Sequence, residues 1–246
     1  MALDGNFDLA KSVIMEMNPK TGLELFFRND ILPRSGLGSS AAAFVSIISA
    51  FNVAFGKKLT KHEIAQLAYD IERNKLKIKG GKQDQFASAY GGLNFMKFKN
   101  NSVKVSKVNI SKGTLLELEK CLLLVFIGKR KKDGHDIIAD QTNSLVSGNK
   151  QVSNALDSTK QIAIEMYKSL KSGNIEEFGK LLNKAWIEKK KYSPYISNKY
   201  IDKIYSAAID AGAIGGKITG AGGGGHMIFC CYNEYHKTRF LLQNCS

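Results

Sequence analysis

Long apolar runs are missing from this sequence: no stretch reaches the ~18–20 consecutive apolar residues that a membrane-spanning helix needs. The first twenty residues mix acidic, basic and apolar side chains without the basic-then-apolar order of a secretory leader, so no secretory signal is expected. Cysteines are few: Cys121, Cys230, Cys231 and Cys245, none in a CxxC pair and two adjacent in an apolar run. That pattern favours reduced, mostly buried thiols in a cytoplasmic protein over disulfides or zinc. His62, His135, His226 and His236 lack HExxH or similar spacing, so no zinc site is expected. Only Pro194 interrupts the second half of the chain, which leaves room there for long helices.

Negative charge is also in deficit. Lys and Arg number 36 against 22 Asp and Glu, a net +14. Charge of this size fits nucleic acid, an acidic membrane surface or small anionic substrates. The lysines are scattered, however, and the densest clusters, 129–132 and 189–191, are short. They read as a solvated surface in which some lysines attract phosphorylated ligands, with neither nucleic acid nor membrane as partner. What is present is ample core material: 43% hydrophobic residues in 246, enough for one large α/β domain or two small ones.

Periodicity predicts helices over 8–17, 39–55, 60–74, 84–90, 136–170, 175–190 and 200–211. Thr60 with Glu63 three residues on forms a capping box. Strands are predicted over 22–28, 93–98 with 103–108, 121–127 (buried on both faces), 217–219 and 227–232, with a last helix from about 233. The first half mixes strands and helices around one glycine loop. The second is mainly helical until another glycine loop near its end, which suggests two lobes, 1–110 and 111–246.

The first loop, Leu32-Pro-Arg-Ser-Gly-Leu-Gly-Ser-Ser-Ala-Ala42, lies between a predicted strand and an apolar helix. A helix start offers unpaired N–H groups and a positive dipole end, and glycines let the backbone approach an anion. Ser39 and Ser40 add hydroxyls, either of which could face a metal. These are parts of a phosphate cradle, and equally of a tight turn capped by serine. A Walker loop is excluded because the lysine of GxxxxGK[ST] is absent. The dinucleotide fingerprint is excluded because Phe55-Gly56-Lys57-Lys58 stands where an acidic strand end is required. The second loop, 220–225, precedes a strand rather than a helix, so it is not a Rossmann loop either. Its glycines serve a close backbone approach or a flexible hairpin tip. Between the loops lie two carboxylates suited to phosphoryl transfer, Glu72 and Asp84. Each also reads as an ordinary helix-end charge, and Asp84 as a helix cap.

Taken together, Pro33-Arg-Ser-Gly-Leu-Gly-Ser-Ser-Ala-Ala42 resembles the second motif of the GHMP kinases, and Lys217-Ile-Thr-Gly-Ala-Gly-Gly-Gly-Gly225 resembles their third. Gly80-Gly-Lys-Gln-Asp-Gln-Phe-Ala and Gly91-Gly-Leu-Asn-Phe look most like the heptose 7-phosphate kinases of that family. The resemblance implies an α+β, two-lobed fold: a ribosomal protein S5 domain 2-like N-terminal lobe, partly missing, and a ferredoxin-like C-terminal lobe. It implies ATP and Mg²⁺ as cofactors. Arg34, Ser35, Gly36, Leu37, Gly38, Ser39 and Ser40 would wrap the ATP phosphates. Gly220, Ala221, Gly222, Gly223 and Gly224 would support that loop and the substrate side. Ser39 and Glu72 would hold the metal, and Asp84 would be the catalytic carboxylate, as base or as electrostatic anchor. The implied substrate is a sugar phosphate, D-glycero-D-manno-heptose 7-phosphate phosphorylated at its anomeric hydroxyl. Residues 129–135 stand where relatives carry a substrate-side loop and are more basic than the resemblance implies. Nothing in the sequence matches the family's first motif, so an N-terminal segment is expected to be lacking. Two alternative functions stand beside this one: a shortened remnant that binds nucleotide or sugar phosphate without turnover, and a GHMP kinase for another sugar; a homo-oligomer or a partner chain would cover the open sheet.

Overall fold

The computed structural model describes residues 2–31, 35–100, 102–130 and 134–232. The described residues fall into two compact units, one within Met1–Pro33 and Gly38–Lys107, the other within Arg34–Leu37 and Val108–Ser246. Of the first glycine loop, Ser35, Gly36 and Leu37 belong to the second unit, and from Gly38 the chain belongs to the first.

The first unit is built on α2 (Ser39–Ala54), whose apolar sequence lets it lie inside: Phe44, Ile48 and Phe51 are buried against Val13 and Met17 of α1 (Asp8–Met17). Each such side chain contributes about 1.5–3 kcal/mol of transfer free energy. The α3 helix (Lys61–Asp70) starts on the predicted capping box: Thr60 Oγ1 accepts from Glu63 N, and Glu63 Oε2 accepts from Thr60 N at 2.7 Å. The Thr60 hydrogen bonds hold the Glu63 carboxyl below its usual range. Past Asp70 the helix widens into a π-helical turn, Ile71–Lys75, closed by Leu76 N donating to Ile71 O at 3.2 Å. Arg73 on this turn donates to the carbonyls of Ile78, Gly80 and Gly81, which shapes the lysine- and glycine-rich loop. That loop leads to α4 (Gln83–Tyr90). The hairpin of β1 (Asn94–Lys99) and β2 (Ser102–Lys107) pairs Met96 with Val105 and Phe98 with Val103. Met96, Val103 and Val105 pack with Phe86 of α4 and Ala65 of α3.

The strand expected at 22–28 does not form. These residues belong to no regular element, and Phe26 is 87% exposed. An alternating segment becomes a strand only when a neighbour completes its hydrogen-bond ladder. The described strands of this unit, β1 and β2, pair with each other.

The second unit holds an antiparallel sheet in the order β3-β5-β4, formed by β3 (Leu122–Phe126), β4 (Ala213–Ile218) and β5 (His226–Cys231). The central β5 is buried at Met227 and Phe229. By contrast β3 lies at the edge, and Leu124 and Phe126 are 47% and 45% exposed, so the expectation of burial on both faces at 121–127 is corrected. Before β3, α5 (Lys112–Cys121) is a helix that periodicity did not reveal; Ser111 Oγ caps it by accepting from Thr114 N at 3.0 Å. The single helix expected over 136–170 is two, α6 (Gly134–Val146) and α7 (Lys150–Ser172). Gly148 turns the chain at φ +77°, and Asn149 Oδ1 accepts from Gln151 N and Val152 N to begin α7. Helices α8 (Ile175–Lys190) and α9 (Lys199–Asp210) pack on β4. Trp186 of α8, Tyr205 of α9 and Phe229 of β5 lie in series as tilted rings, with centroids 6.1 and 6.0 Å apart. The helix expected from residue 233 lies outside the described residues. Among those described, no helix is long and apolar enough to cross a membrane.

Candidate active site

In the first unit the α2 N-terminus, the π turn and α4 bring four sequence-predicted residues together. Gly38 is the N-cap of α2 at φ +71°, and no side chain caps it, so the leading N–H groups of the helix remain available. The direction a side chain would take from Gly38 is filled by Asp84: a Cβ there would lie 3.5 Å from Asp84 Cγ and 3.7 Å from Oδ2. Asp84, in the first turn of α4, therefore rests against the glycine that opens α2. Ser40 Oγ donates to Glu72 Oε1 at 3.4 Å, so Ser40 rather than Ser39 presents its hydroxyl to the carboxylate.

Glu72 is only 4% exposed, and the wide π turn aims it inward. Its other oxygen, Oε2, accepts from Gln85 Nε2 and lies 3.3 Å from Arg73 Nη1. Gln85 is itself buried, and among the described residues its Oε1 has no hydrogen-bond partner. No group of three or more His, Cys, Asp and Glu side chains suited to a metal occurs among the described residues. The oxygen donors here are one carboxylate, one hydroxyl and one amide carbonyl.

In the second unit the two glycine loops meet backbone to backbone. Ser35 is buried and its carbonyl lies 2.9 Å from His226 Nδ1, so that nitrogen carries the proton. A Cβ at Gly36 would come 3.0 Å from both Thr219 O and Thr219 Oγ1, and one at Gly225 would strike Ser35 O. Leu37 N donates to Ser35 Oγ at 3.4 Å. The turn between β4 and β5 is fastened at several points: Gly225 N to Gly128 O at 2.7 Å, Gly223 N to Ile196 O at 2.9 Å, and Lys189 Nζ to Gly220 O at 2.5 Å. Gly222 and Gly223 press on Ile196 and the Tyr195 carbonyl, and Gly224 on Gly128 O and the Arg130 backbone. The glycines thus serve close approach, and the reading of a flexible hairpin tip falls away. Ala221 lies in the same turn, near Gly134. Within β4, burial pushes the Lys217 ammonium below the usual lysine range.

Arg34 lies outside the described residues. Sequence reasoning missed Gln85, Arg73, Arg130 and His226. Gln85 lies within the 80–87 motif and Arg130 within the 129–132 basic cluster, but neither pattern points to the partner, and each acts through a fold contact; His226 reaches Ser35 across 191 positions.

Two family models match the chain: the GHMP kinases N terminal domain over residues 8–92, and GHMP kinases C terminal over 166–243. The chain belongs to the GHMP kinase family, phosphotransferases that use ATP and have an alcohol group as acceptor. Its α+β architecture is that of the family's fold. It is similar to the D-glycero-alpha-D-manno-heptose 7-phosphate kinase of Campylobacter jejuni, 37% identical over 232 residues that cover 92% of this chain and 68% of that one. It is also similar to the mevalonate kinase of Methanocaldococcus jannaschii, 33% identical over 91% of this chain and 66% of that one. Among solved structures it is similar to a D-glycero-D-manno-heptose 1-phosphate kinase from Bacteriodes thetaiotaomicron: TM-score 0.74, 28% identity, 100% of this chain and 71% of that one. The chain thus spans about two thirds of the length of the curated relatives it resembles, 68% and 66%.

Proposed function

We propose that this chain transfers the γ-phosphoryl group of ATP to a hydroxyl of a sugar phosphate, namely the anomeric hydroxyl of D-glycero-D-manno-heptose 7-phosphate. The observation that carries this reading is Asp84 set against Gly38 at the start of α2, in the same unit as the buried Ser40–Glu72 pair. A carboxylate beside the N–H groups that take the phosphates can receive the acceptor's proton. The hydroxyl oxygen attacks the γ-phosphorus, the bond to the bridging oxygen breaks and ADP leaves; the hydroxyl's proton goes to Asp84, or to solvent where Asp84 only fixes the hydroxyl by its charge.

Ser35, Gly36, Leu37, Gly38, Ser39 and Ser40 present the loop and helix N–H groups to the nucleotide phosphates. The Gly220–Gly224 turn backs that loop. The donors around Glu72 fit Mg²⁺, a hard cation that takes oxygen ligands: Glu72, Ser40 Oγ and the carbonyl oxygen of Gln85, which has no partner among the described residues. Ser40 takes the place assigned to Ser39 because its hydroxyl reaches the carboxylate. Bound there, Mg²⁺ supplies positive charge to the phosphate oxygens. Residues 1–110 and 111–246 serve as the two lobes. The heptose reading rests on the likeness to the Campylobacter jejuni kinase, and the net charge of +14 suits a phosphorylated acceptor.

The test is an ADP-release assay with heptose 7-phosphate, heptose 1-phosphate and mevalonate offered separately, followed by ³¹P NMR of the product. A new anomeric phosphate from heptose 7-phosphate is expected, and turnover of mevalonate alone would overturn the substrate. Asp84→Asn is expected to lower kcat by about 10²–10⁴-fold with ATP affinity retained. Full activity in that variant would remove Asp84 from the chemistry.

A further inference from the structure

Arg130 follows β3, in the basic stretch that neither glycine-loop motif includes. Its side chain ends where three glycines from distant parts of the chain converge. A Cβ at Gly36 or at Gly220 would lie 2.7 Å from Arg130 Nη2, and one at Gly134 would lie 2.7 Å from Nη1. A fourth glycine, Gly224, faces the Arg130 backbone, its Cβ position 3.0 Å from both N and Cα. Contacts under about 3 Å are closer than carbon tolerates, so a Cβ at Gly36, Gly134 or Gly220 would push the guanidinium out of the place it holds.

Two of the glycines have other reasons to be glycine. Gly36 and Gly220 have φ of +80° and +62° and also face backbone atoms at 3.0 Å. Gly134 does not. It heads α6 without a positive φ, and after the guanidinium its next neighbour is Ala221 Cβ at 3.4 Å. An alanine at Gly134 would meet no backbone strain, yet the helix start forgoes a Cβ where the guanidinium sits.

The place of that cation explains the concession. Its Nη2 occupies the space that a Cβ would take at Gly36 of the first loop and at Gly220 of the second. A fixed planar guanidinium in that gap holds the two loops at one separation and sets a positive charge behind Gly36. Lys189 adds a second cation at the same glycine, donating to Gly220 O at 2.5 Å. We propose that Arg130 is a positioning residue for the nucleotide phosphates: its guanidinium fixes the first glycine loop against the second, and Gly134 is glycine to admit it. The inference rests on the reading of residues 36–40 as the site of the ATP phosphates.

The test is a double-mutant cycle of Gly134→Ala and Arg130→Met. It reads binding of a non-hydrolysable ATP analogue by calorimetry, with steady-state kinetics and urea unfolding alongside. Gly134→Ala alone should displace the guanidinium and weaken analogue binding by about tenfold, with the KM for ATP raised in step and kcat at saturating ATP little changed. Its urea midpoint should hold or rise, which a merely structural lesion would not do. Arg130→Met should weaken binding to a similar extent, Arg130→Lys less, and adding Gly134→Ala to Arg130→Met should do nothing further. Equal losses from Gly134→Ala in both backgrounds, or none in either, would overturn the role of Arg130. Wild-type protein that binds no analogue would overturn the nucleotide reading of the loop, and this inference with it.

Discussion

Gln85 Nε2 donates to Glu72 Oε2, joining the first turn of α4 to the π turn after α3 through two buried side chains. The bond holds the carboxylate with one oxygen toward Ser40 and leaves the amide carbonyl of Gln85 beside it without a partner among the described residues. A buried carboxylate without its donors is costly, and partners of a metal-binding carboxylate set its aim.

Gln85→Leu keeps the bulk and removes both polar atoms. The variant should need about ten- to a hundredfold more Mg²⁺ for half-maximal activity, as expected when a supporting hydrogen bond to a metal ligand is lost. Its stability should fall by about 1–3 kcal/mol, the cost of leaving a buried acceptor short of a donor. Titration of Mg²⁺ in the kinase assay, with urea unfolding alongside, checks both. An unchanged Mg²⁺ requirement would argue that Glu72 is structural.

Asn149 should matter to stability alone. Its Oδ1 accepts from Gln151 N at 3.0 Å and Val152 N at 3.2 Å at the start of α7. Asn149→Ala should cost about 1 kcal/mol in urea unfolding, the usual cost of losing a cap. Kinetic constants should stay as in wild type, and a change in KM would show that α7 communicates with the site.

Alkaline pH should expose Tyr205. Burial pushes its phenol from 10.0 up to about 12, against a smaller lowering by the Gly216 backbone, and its hydroxyl donates to Asn183 Oδ1 at 2.6 Å. A raised folded-state pKa means the folded protein keeps a proton that the unfolded chain gives up. The contribution is therefore complete below pH 10.0 and is lost as pH rises through about 12. Tyr205→Phe should flatten the fall in urea midpoint across that window. Lys217 pulls the other way: its lowered pKa makes stability rise with pH toward the ordinary lysine value of 10.5. A Tyr205→Phe profile as steep as wild type would mean another group governs the fall.

Local chemistry made much of the fold legible. The capping box at Thr60 and Glu63, the apolar length of α2 and the turn at Gly91 are each written in neighbouring residues. Where expectation and structure part, the deciding partner is remote. Residues 22–28 alternate as a strand would but belong to no ladder. The run at 121–127 reads as buried on both faces, yet β3 is an edge strand, because strand order is a property of the sheet. The break at Gly148 and Asn149 was readable as turn chemistry, and the apolar period running through it hid the signal.

By itself the sequence determined the family, because two glycine loops in order, with a carboxylate before and within Gly80-Gly-Lys-Gln-Asp84, are chemistry carried by short contiguous peptides. Backbone approach and positive φ demand glycine wherever they occur, so those positions show through without any fold. Tertiary structure alone decided which side chains serve the loops: that Ser40 rather than Ser39 meets Glu72, that Gln85 holds the carboxylate, and that Arg130 fills the space Gly36, Gly134 and Gly220 leave open. Those are pairings across tens to hundreds of positions. They depend on where a π turn, a helix start and a strand end come to rest, and no local pattern encodes a distance between residues that meet only when the chain has folded.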